Sequence, residues 1–202
     1  MTEKQILAEF KKTGALLEGH FELRSKLHSN RYFQCANVLM YPKIAGKLCR
    51  EAVRRAVASG KLGKVDGVVS PAVGGILVGH EVARELGVKC IFAEKVQGDG
   101  VDASGKPNTV LQMRRFKIVK GERYVVAEDV VTKGGRVQET IDLIKAAGGK
   151  VAAVVVLVDR SGGKVKFSRI PMFSLVKMTP ETWTADKCPM CAKGEKIAHP
   201  GS

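Results

Sequence analysis

Two adjacent carboxylates, Glu128 and Asp129, follow the apolar run 124–127, and their position suggests chemistry. A buried strand of this kind would deliver both acids to the edge of a sheet. Thr132 and the pair Gly134-Gly135 come next, and an amphipathic pattern then begins. A glycine-rich turn at the start of a helix presents backbone N–H groups and a hydroxyl to an anion. The segment therefore predicts a phosphate-binding loop beside two acids.

The simpler alternative is an ordinary strand-to-helix turn in which Gly134 and Gly135 only begin the helix. The two acids immediately before the turn favour the phosphate-binding interpretation. The loop lacks the G-x-x-x-x-G-K-[ST] spacing, so it is not a Walker A loop. Another glycine pattern, at 98–103, runs into Pro107 instead of opening a helix after a strand, which excludes a dinucleotide fingerprint there.

Apolar and amphipathic segments alternate along most of the chain, and these elements must position the acids. The spacing predicts strands at 67–70, 89–93, 123–127 and 151–158, and helices at 42–58, 75–86 and 135–147. Such alternation is typical of a parallel sheet with helices on both faces. Ligands of these sheets bind beyond the carboxyl ends of the strands, which is where the acids lie.

Two regions depart from that rhythm. Residues 3–13 have helical spacing, and 21–36 resembles two short strands around a polar turn at 25–30, so this opening stretch predicts a small separate unit. Residues 96–113 are polar and rich in turn formers. Loops of that kind in compact domains are typically lids or disordered, so we expect this one to be mobile without ligand.

Composition limits the class of protein and its partners. The chain has 202 residues, of which 45% are hydrophobic and 27% charged, as in a single globular domain. The longest apolar run, 151–158, is far shorter than the ~18 residues of a membrane span. The net charge of +14 is spread along the chain and aromatic residues make up 5%, which favours small phosphorylated substrates over nucleic acid. The first residues carry no export signal, so we expect a cytoplasmic protein.

The five cysteines are odd in number and suit a reducing compartment. Cys188 and Cys191 form a lone CxxC pair, and His199 lies eight residues further on. A structural or incidental pair is the favoured interpretation, because a zinc site needs four ligands and a second CxxC is missing. A metal site and a redox dithiol remain as alternatives.

The segment Glu128-Asp129-Val130-Val131-Thr132-Lys133-Gly134-Gly135-Arg136 resembles the phosphoribosyl pyrophosphate (PRPP) signature of type I phosphoribosyltransferases. The stretches 16–36, 70–84 and 92–95 extend the resemblance to orotate phosphoribosyltransferases over essentially the whole chain. The resemblance implies an α/β type I phosphoribosyltransferase fold, with a central mainly parallel sheet, helices on both faces and a small N-terminal hood. It also implies transfer of ribose 5-phosphate from PRPP to orotate in pyrimidine nucleotide biosynthesis, giving orotidine 5′-monophosphate and pyrophosphate.

The resemblance assigns a role to each part of the PRPP signature. Glu128 and Asp129 would hold the ribose hydroxyls, and the backbone from Thr132 onward would hold the 5′-phosphate. A glycine pair after the 67–70 strand would let the backbone approach the pyrophosphate, which a Cβ would obstruct. The implied PRPP-binding set is Gly74, Gly75, Lys95, Glu128, Asp129, Val130, Val131, Thr132, Lys133, Gly134, Gly135 and Arg136.

Asp129 and Lys95 are the catalytic residues that the resemblance implies. Lys95 would stabilise the departing pyrophosphate as a cation of the lid, with Lys106, Arg114 and Arg115 as further candidates. Mg²⁺ is the implied cofactor, bound to the pyrophosphate rather than to protein side chains.

The orotate-binding set implied by the resemblance lies mainly in the hood and consists of Arg24, Tyr32, Phe33, Thr132 and Arg160. A guanidinium suits this role, because it can hold a carboxylate or imide edge with two parallel hydrogen bonds. Alternatives are a phosphoribosyltransferase of another base specificity and a PRPP-sensing regulator on the same fold.

The resemblance also sets expectations for organisation. We expect a hood and first helix at 1–40, an α/β core at 41–178 and a C-terminal tail with the CxxC pair at 179–202, packed near the hood. A homodimer is implied, with no membrane and no nucleic-acid partner. This chain has Lys26, Lys133 and Arg136 where the family usually has Gly, a second Thr or Ala, and Ser, Thr or Ala.

Overall fold

The computed structural model describes residues 1–23, 25–101, 105 and 107–200. The chain begins with helix α1 (Glu3–Lys12), whose first turn is closed by reciprocal hydrogen bonds between Thr2 and Gln5. Strands β1 (Leu16–Glu22) and β2 (His28–Phe33) follow as an antiparallel pair. The two predicted strands are present, but β1 begins earlier than position 21, because the polar Glu18 and His20 within it hide its strand character from an apolar pattern.

The turn between β1 and β2 requires a left-handed residue. Lys26 has a φ of 63°, and its N–H donates to Leu23 O at 2.9 Å. Glycine adopts this conformation without the steric cost that a Cβ brings, which accounts for the glycine usual in the family at this position. The Lys26 ammonium lies 2.8 Å from Glu22 Oε1 on the strand before the turn.

The remaining elements form a larger sheet, the helices that pack on it and a C-terminal segment. In order they are α2 (Ala36–Leu39), α3 (Pro42–Ala58), β3 (Gly67–Pro71), α4 (Gly75–Leu86), β4 (Lys89–Val101), β5 (Pro107–Gln112), β6 (Arg123–Val131), α5 (Gly135–Ala146), β7 (Lys150–Asp159), β8 (Met172–Lys177), β9 (Thr182–Trp183), a 3-10 turn (Ala185–Lys187) and α6 (Pro189–Ala192).

The larger sheet has the strand order β5-β4-β3-β6-β7-β8, and only β5 pairs antiparallel to its neighbour. One apolar core lies between this sheet and helices α1, α3 and α4, and a second lies between the sheet and α5. The predicted parallel sheet with helices on both faces is therefore confirmed. Strand β9 joins β2 in a small three-stranded sheet, so the C-terminal segment completes the N-terminal one. Among the described residues, no helix is long and apolar enough to cross a bilayer.

In the described part of the segment expected to be a polar lid loop, residues 96–101 and 107–112 belong to strands. β4 continues well past the predicted end at 93, and β5 pairs with it through Lys95↔Leu111 and Gln97↔Thr109. Exposed and half-buried side chains alternate along β4, as expected for a strand in a two-stranded arm. The sequence prediction rested on the turn-forming residues of this segment and therefore gave a loop. Lys106 lies outside the described residues.

Helix α4 approaches β3 closely, and this approach fixes the start of the helix beside the sheet edge. A Cβ built on Gly79 would lie 2.5 Å from Ser70 Oγ and 3.0 Å from Ser70 Cβ. Within the described chain Ser70 Oγ is buried without a hydrogen-bond partner, so it contributes bulk rather than a polar contact here.

We predict that Gly79→Ala lowers the free energy of unfolding by about 1–3 kcal/mol, because the added methyl overpacks the contact with Ser70. Alanine would otherwise stabilise a helix interior by about 1 kcal/mol relative to glycine, so the sign of the change is informative. Chemical denaturation would measure it. Ser70→Ala alone should be near neutral, and combining it with Gly79→Ala should recover part of the loss; a stabilising Gly79→Ala would contradict the close packing.

Candidate active site

The carboxyl ends of β3 and β6 meet at one edge of the sheet, because the two strands are parallel neighbours in the register Val69↔Val126. A cavity of about 530 Å³ opens at this edge. Its walls are formed by Pro71, Ala72, Val73, Gly74, Lys95, Glu128, Asp129, Val130, Val131, Thr132, Lys133, Gly134, Gly135, Arg136, Val137 and Glu139. The structure thus brings together every residue of the predicted PRPP-binding set except Gly75, which lies directly behind Gly74.

The two acids share this cavity because the regular alternation of β6 breaks at them. Val125 and Ala127 pack on the α3–α4 side of the sheet, and Val126 packs on the α5 side. Regular alternation would put Val131 on the α3–α4 side, but it packs with α5. The change of phase falls at 128–130, so consecutive carboxylates face one space rather than opposite faces.

The glycine pair after β3 leaves room for these acids. A Cβ on Gly74 would lie 3.2 Å from Asp129 Oδ2, and a Cβ on Gly75 would lie 3.0 Å from Glu128 Oε1. The sequence suggested that these glycines admit a ligand, and the structure adds that they admit the carboxylates themselves. Backbone at 74–75 and acids at 128–129 therefore form one packed unit.

Two helices begin at the cavity without a side-chain cap. Gly74 is the N-cap of α4 and Gly134 is the N-cap of α5, and neither helix has a capping side-chain hydrogen bond. The first N–H groups of a helix have no partner within it, and the helix dipole adds positive potential at that end. Gly134 has a φ of 79°, and a Cβ there would lie 2.8 Å from Val165 Cγ1. Each helix start can accept an anionic group.

Burial shapes the titration of the acidic pair. Glu128 is 9% exposed, and burial together with the neighbouring carboxylate of Asp129 raises the pKa of Glu128 to about 9. Burial also raises the pKa of Asp129 above its ordinary value. Lys95 opposes the shift at Glu128 through its positive charge. Both shifts disfavour the fully ionised pair in the absence of a ligand.

The cations of the signature differ in their surroundings. Lys95 and Lys133 are exposed side chains on the cavity wall. Arg136 instead reaches the β4–β5 arm, where it donates to Thr109 O at 3.0 Å and Thr109 Oγ1 at 2.6 Å, and it also pairs with Glu139 at 2.7 Å. Arg136 thus ties the arm to the first turn of α5.

Glu139 was not singled out from the sequence. Its side chain pairs with Arg136 and also accepts a hydrogen bond from the N–H of Leu111 on the arm. The i,i+3 spacing between Arg136 and Glu139 on a predicted helix was the available signal. Ala72 and Val73 also line the cavity, and nothing in their residue types marks them as wall residues.

Of the described residues in the predicted orotate-binding set, Thr132 lies on the cavity wall, whereas Tyr32, Phe33 and Arg160 do not. Arg160 follows β7, its N–H donates to Val131 O at 2.8 Å, and burial lowers the pKa of its guanidinium. Tyr32 and Cys35 lie close enough to Arg160 to interact with its charge. Cys35 Sγ lies 3.9 Å from Asp129 O, which links this region to the acids.

Two further members of the predicted orotate-binding set are Phe33 and Arg24. Phe33 is buried and packs edge-to-face on Phe10, with ring centroids 6.3 Å apart, so its side chain belongs to the core. Arg24 lies outside the described residues. Arg115, a candidate lid cation, lies 3.6 Å from Glu94 Oε1 on β4.

Residues 41–184 match the model of the phosphoribosyl transferase domain. The orotate phosphoribosyltransferase of Chlorobaculum parvum is 46% identical over 202 residues, covering 100% of this chain and 97% of that protein. The orotate phosphoribosyltransferase of Desulforamulus reducens is 44% identical over 203 residues, covering 100% of this chain and 98% of that protein.

Solved structures show the same fold. Orotate phosphoribosyltransferase from Aeropyrum pernix has a TM-score of 0.64 at 24% identity and covers 88% of this chain and 93% of its own. Adenine phosphoribosyltransferase from Rhodothermus marinus has a TM-score of 0.61 at 18% identity and covers 85% of this chain and 99% of its own. The fold alone does not separate the two base specificities, whereas the full-length relatives do. The chain belongs to the phosphoribosyltransferase family and, within it, to the orotate phosphoribosyltransferases.

Proposed function

We propose that this chain transfers the ribose 5-phosphate group of PRPP to orotate, giving orotidine 5′-monophosphate and pyrophosphate. One observation carries the proposal: a single cavity holds two helix starts without side-chain caps and, between them, an acidic pair of which Glu128 is buried and Asp129 is half-buried. A ligand that fits it needs two anionic groups separated by a group rich in hydroxyls. PRPP has a phosphate at one end of its ribose and a diphosphate at the other.

The proposed orientation is the one that the family resemblance implies. The start of α5, with Thr132 and the N–H groups through Gly135, binds the 5′-phosphate, and the start of α4 at Gly74 binds the diphosphate. Glu128 and Asp129, which lie between the two, accept hydrogen bonds from the ribose hydroxyls. Hydroxyl donors satisfy carboxylates that burial would otherwise leave short of partners.

The reaction is a displacement at the anomeric carbon of the ribose. A bond from a ring nitrogen of orotate to that carbon forms as the bond from the carbon to a diphosphate oxygen breaks, and pyrophosphate leaves. Positive charge develops on the ribosyl group and negative charge on the leaving group. Asp129 is proposed to face the positive charge on the ribosyl group, and Lys95 is proposed to face the negative charge on the leaving group. Both are therefore proposed as catalytic residues.

Mg²⁺ is compatible with this cavity. A Mg²⁺ ion bound with the diphosphate would offset the repulsion between the diphosphate and the negative charge that Glu128 and Asp129 contribute to the cavity wall. Mg²⁺ prefers oxygen ligands and is commonly held through substrate phosphates, so protein side chains need not ligate it directly. When bound, it neutralises charge on the leaving group.

Orotate is proposed to bind on the side of the cavity where Arg160 lies. Arg160 Nε is buried and has no hydrogen-bond partner among the described residues, so an anionic ligand would relieve the cost of burying this guanidinium. Tyr32, on the neighbouring β2, supplies an aromatic wall, and Arg24 is proposed as a second cation for the base.

The proposal includes a compartment and an assembly state. We propose a cytoplasmic homodimer that uses no membrane or nucleic-acid partner. Five cysteines without a disulfide among the described residues suit a reducing compartment. Met40 and Tyr41, at the start of α3, are large apolar side chains that are 59% and 44% exposed, and they are candidates for the dimer surface.

The first test is a panel of bases incubated with PRPP and Mg²⁺. We expect orotate to be consumed in preference to adenine, guanine, hypoxanthine and uracil, because neutral bases leave buried cations such as Arg160 without a partner. Liquid chromatography of the nucleotide products would measure the preference. Omission of PRPP is the control, and equal or faster turnover of a purine would contradict the substrate assignment.

The second test changes one acid. Asp129→Asn should reduce turnover about a hundredfold, equivalent to about 3 kcal/mol of transition-state stabilisation, since the amide keeps the size of the side chain but loses the charge. Thermal unfolding should show that the variant still folds. Asp142→Asn is the matched control, because Asp142 is an exposed residue of α5 whose Oδ1 accepts from Gln138. Unchanged kinetics for Asp129→Asn would contradict its role.

A further inference from the structure

Four side chains that can ligate a metal meet at the junction of the small sheet and the C-terminal segment. His20 lies on β1, His28 lies on β2, and Cys188 and Cys191 belong to the CxxC pair at α6. One nitrogen or sulfur atom from each lies within 4.8 Å of the corresponding atoms of the other three. This cluster is separate from the cavity that the proposed reaction uses.

The distances within the cluster are close to those around a tetrahedral ion. His20 Nε2 lies 2.9 Å from His28 Nδ1, 3.5 Å from Cys188 Sγ and 3.6 Å from Cys191 Sγ. Cys191 Sγ lies 3.2 Å from His28 Nδ1. Ligands held at about 2.0–2.3 Å around a tetrahedral zinc lie about 3.3–3.8 Å from one another. The four atoms therefore need only small shifts to surround one ion.

The tautomer of His20 is fixed by a contact outside the cluster. Its Nδ1 lies 2.9 Å from the carbonyl oxygen of Glu195. A carbonyl can only accept, so Nδ1 carries the proton and donates it. In the neutral ring Nε2 then has a lone pair directed at the other three side chains. A ligating histidine that donates its second ring N–H to a backbone carbonyl is a common arrangement in metal sites.

Hydrogen bonding alone does not satisfy this cluster. The single in-plane lone pair of His20 Nε2 would have to serve His28 Nδ1 and two sulfur atoms at once. His20, His28 and Cys188 are 5%, 5% and 2% exposed, so water has little access to these three side chains, whereas Cys191 lies nearer the surface. One cation at the centre would satisfy all four ligand atoms together.

We propose that His20, His28, Cys188 and Cys191 bind a structural Zn²⁺ ion. Two thiolates and two imidazoles in a tetrahedral arrangement are a typical zinc ligand set, and oxygen-preferring ions such as Mg²⁺ are disfavoured by it. All four positions are filled by protein atoms, which leaves no place for a substrate or a reactive water. The ion is therefore structural.

The ion would fasten the two ends of the chain to each other. The C-terminal segment also contacts the small sheet through hydrogen bonds that include Ala198 N to His20 O at 2.8 Å, Glu22 N to Ala198 O at 3.0 Å and Ser29 Oγ to Glu181 O at 2.9 Å, and through the two-residue pairing of β9 with β2. A three-stranded sheet with so short a third strand gains much from a cross-link. His199, the histidine nearest to the CxxC pair in sequence, instead lies 3.7 Å from Glu22 Oε1.

Metal analysis of the full-length chain tests the proposal. The protein should be purified with a histidine-free tag, in reducing buffer without chelator, and assayed for first-row metals by inductively coupled plasma mass spectrometry. We expect one zinc per chain, and near loss of zinc in Cys188→Ser and Cys191→Ser. Cys90→Ser, at a half-buried cysteine outside the cluster, is the matched control and should keep its zinc.

A second readout stays informative if those variants fail to fold. Stepwise modification of thiols in the wild-type chain, followed with a metallochromic dye, should release zinc as the two cluster thiols react. Replacement by Co²⁺ should give the visible absorption of a tetrahedral ion and a thiolate-to-cobalt band. Protein with reduced thiols that neither contains zinc nor takes up added Zn²⁺ or Co²⁺ would overturn the proposal, as would a native disulfide between Cys188 and Cys191 or zinc retained in both serine variants.

Discussion

Two carboxylates held side by side at the buried end of β6 are the feature on which the rest of the site depends. Burying adjacent acids is costly, because each is desolvated and each repels the charged form of the other. The strand changes phase at these residues, and glycines at 74 and 75 leave the space that the carboxylates occupy. The free-energy cost of burying the two acids falls at the sheet edge, where a hydroxyl-rich ligand can supply the hydrogen-bond donors that they lack.

The surrounding elements set what else the ligand must carry. Helices α4 and α5 both start at the cavity, and the absence of side-chain caps leaves their first N–H groups available to anions. Arg136 connects α5 to the β4–β5 arm through Thr109, so a cation that the sequence placed in the phosphate loop also holds the arm that carries Lys95. Through this side chain the arm is held against the first turn of α5.

Features that depend on near neighbours in sequence could be predicted. The apolar run at 151–158 predicted a buried strand inside the sheet, which is β7. The order of the two acids, Thr132 and the glycines predicted the loop at the start of α5. Both features depend on local sequence patterns. The β4–β5 arm was missed, because polar residues on a two-stranded arm look like a loop without the partner strand. Phe33 was expected in a pocket but packs against Phe10, which only the tertiary contacts determine. Likewise, the histidines beside the CxxC pair lie about 160 positions away, beyond any spacing rule.

The pH dependence of stability in Glu128→Gln tests most directly whether the acidic pair is buried at a cost. The pKa of Glu128, about 9 when folded, lies above its ordinary value of 4.5, so between these values the folded chain binds more protons than the unfolded chain. Wild-type stability should therefore fall as pH rises through that window, by up to about 1.4 kcal/mol per pH unit for this group. The variant lacks the group, so its stability advantage over the wild type should widen from about pH 5 to about pH 8 in denaturant unfolding without ligand. Parallel curves for the two proteins, or a wild type that gains on the variant as pH rises, would contradict the account.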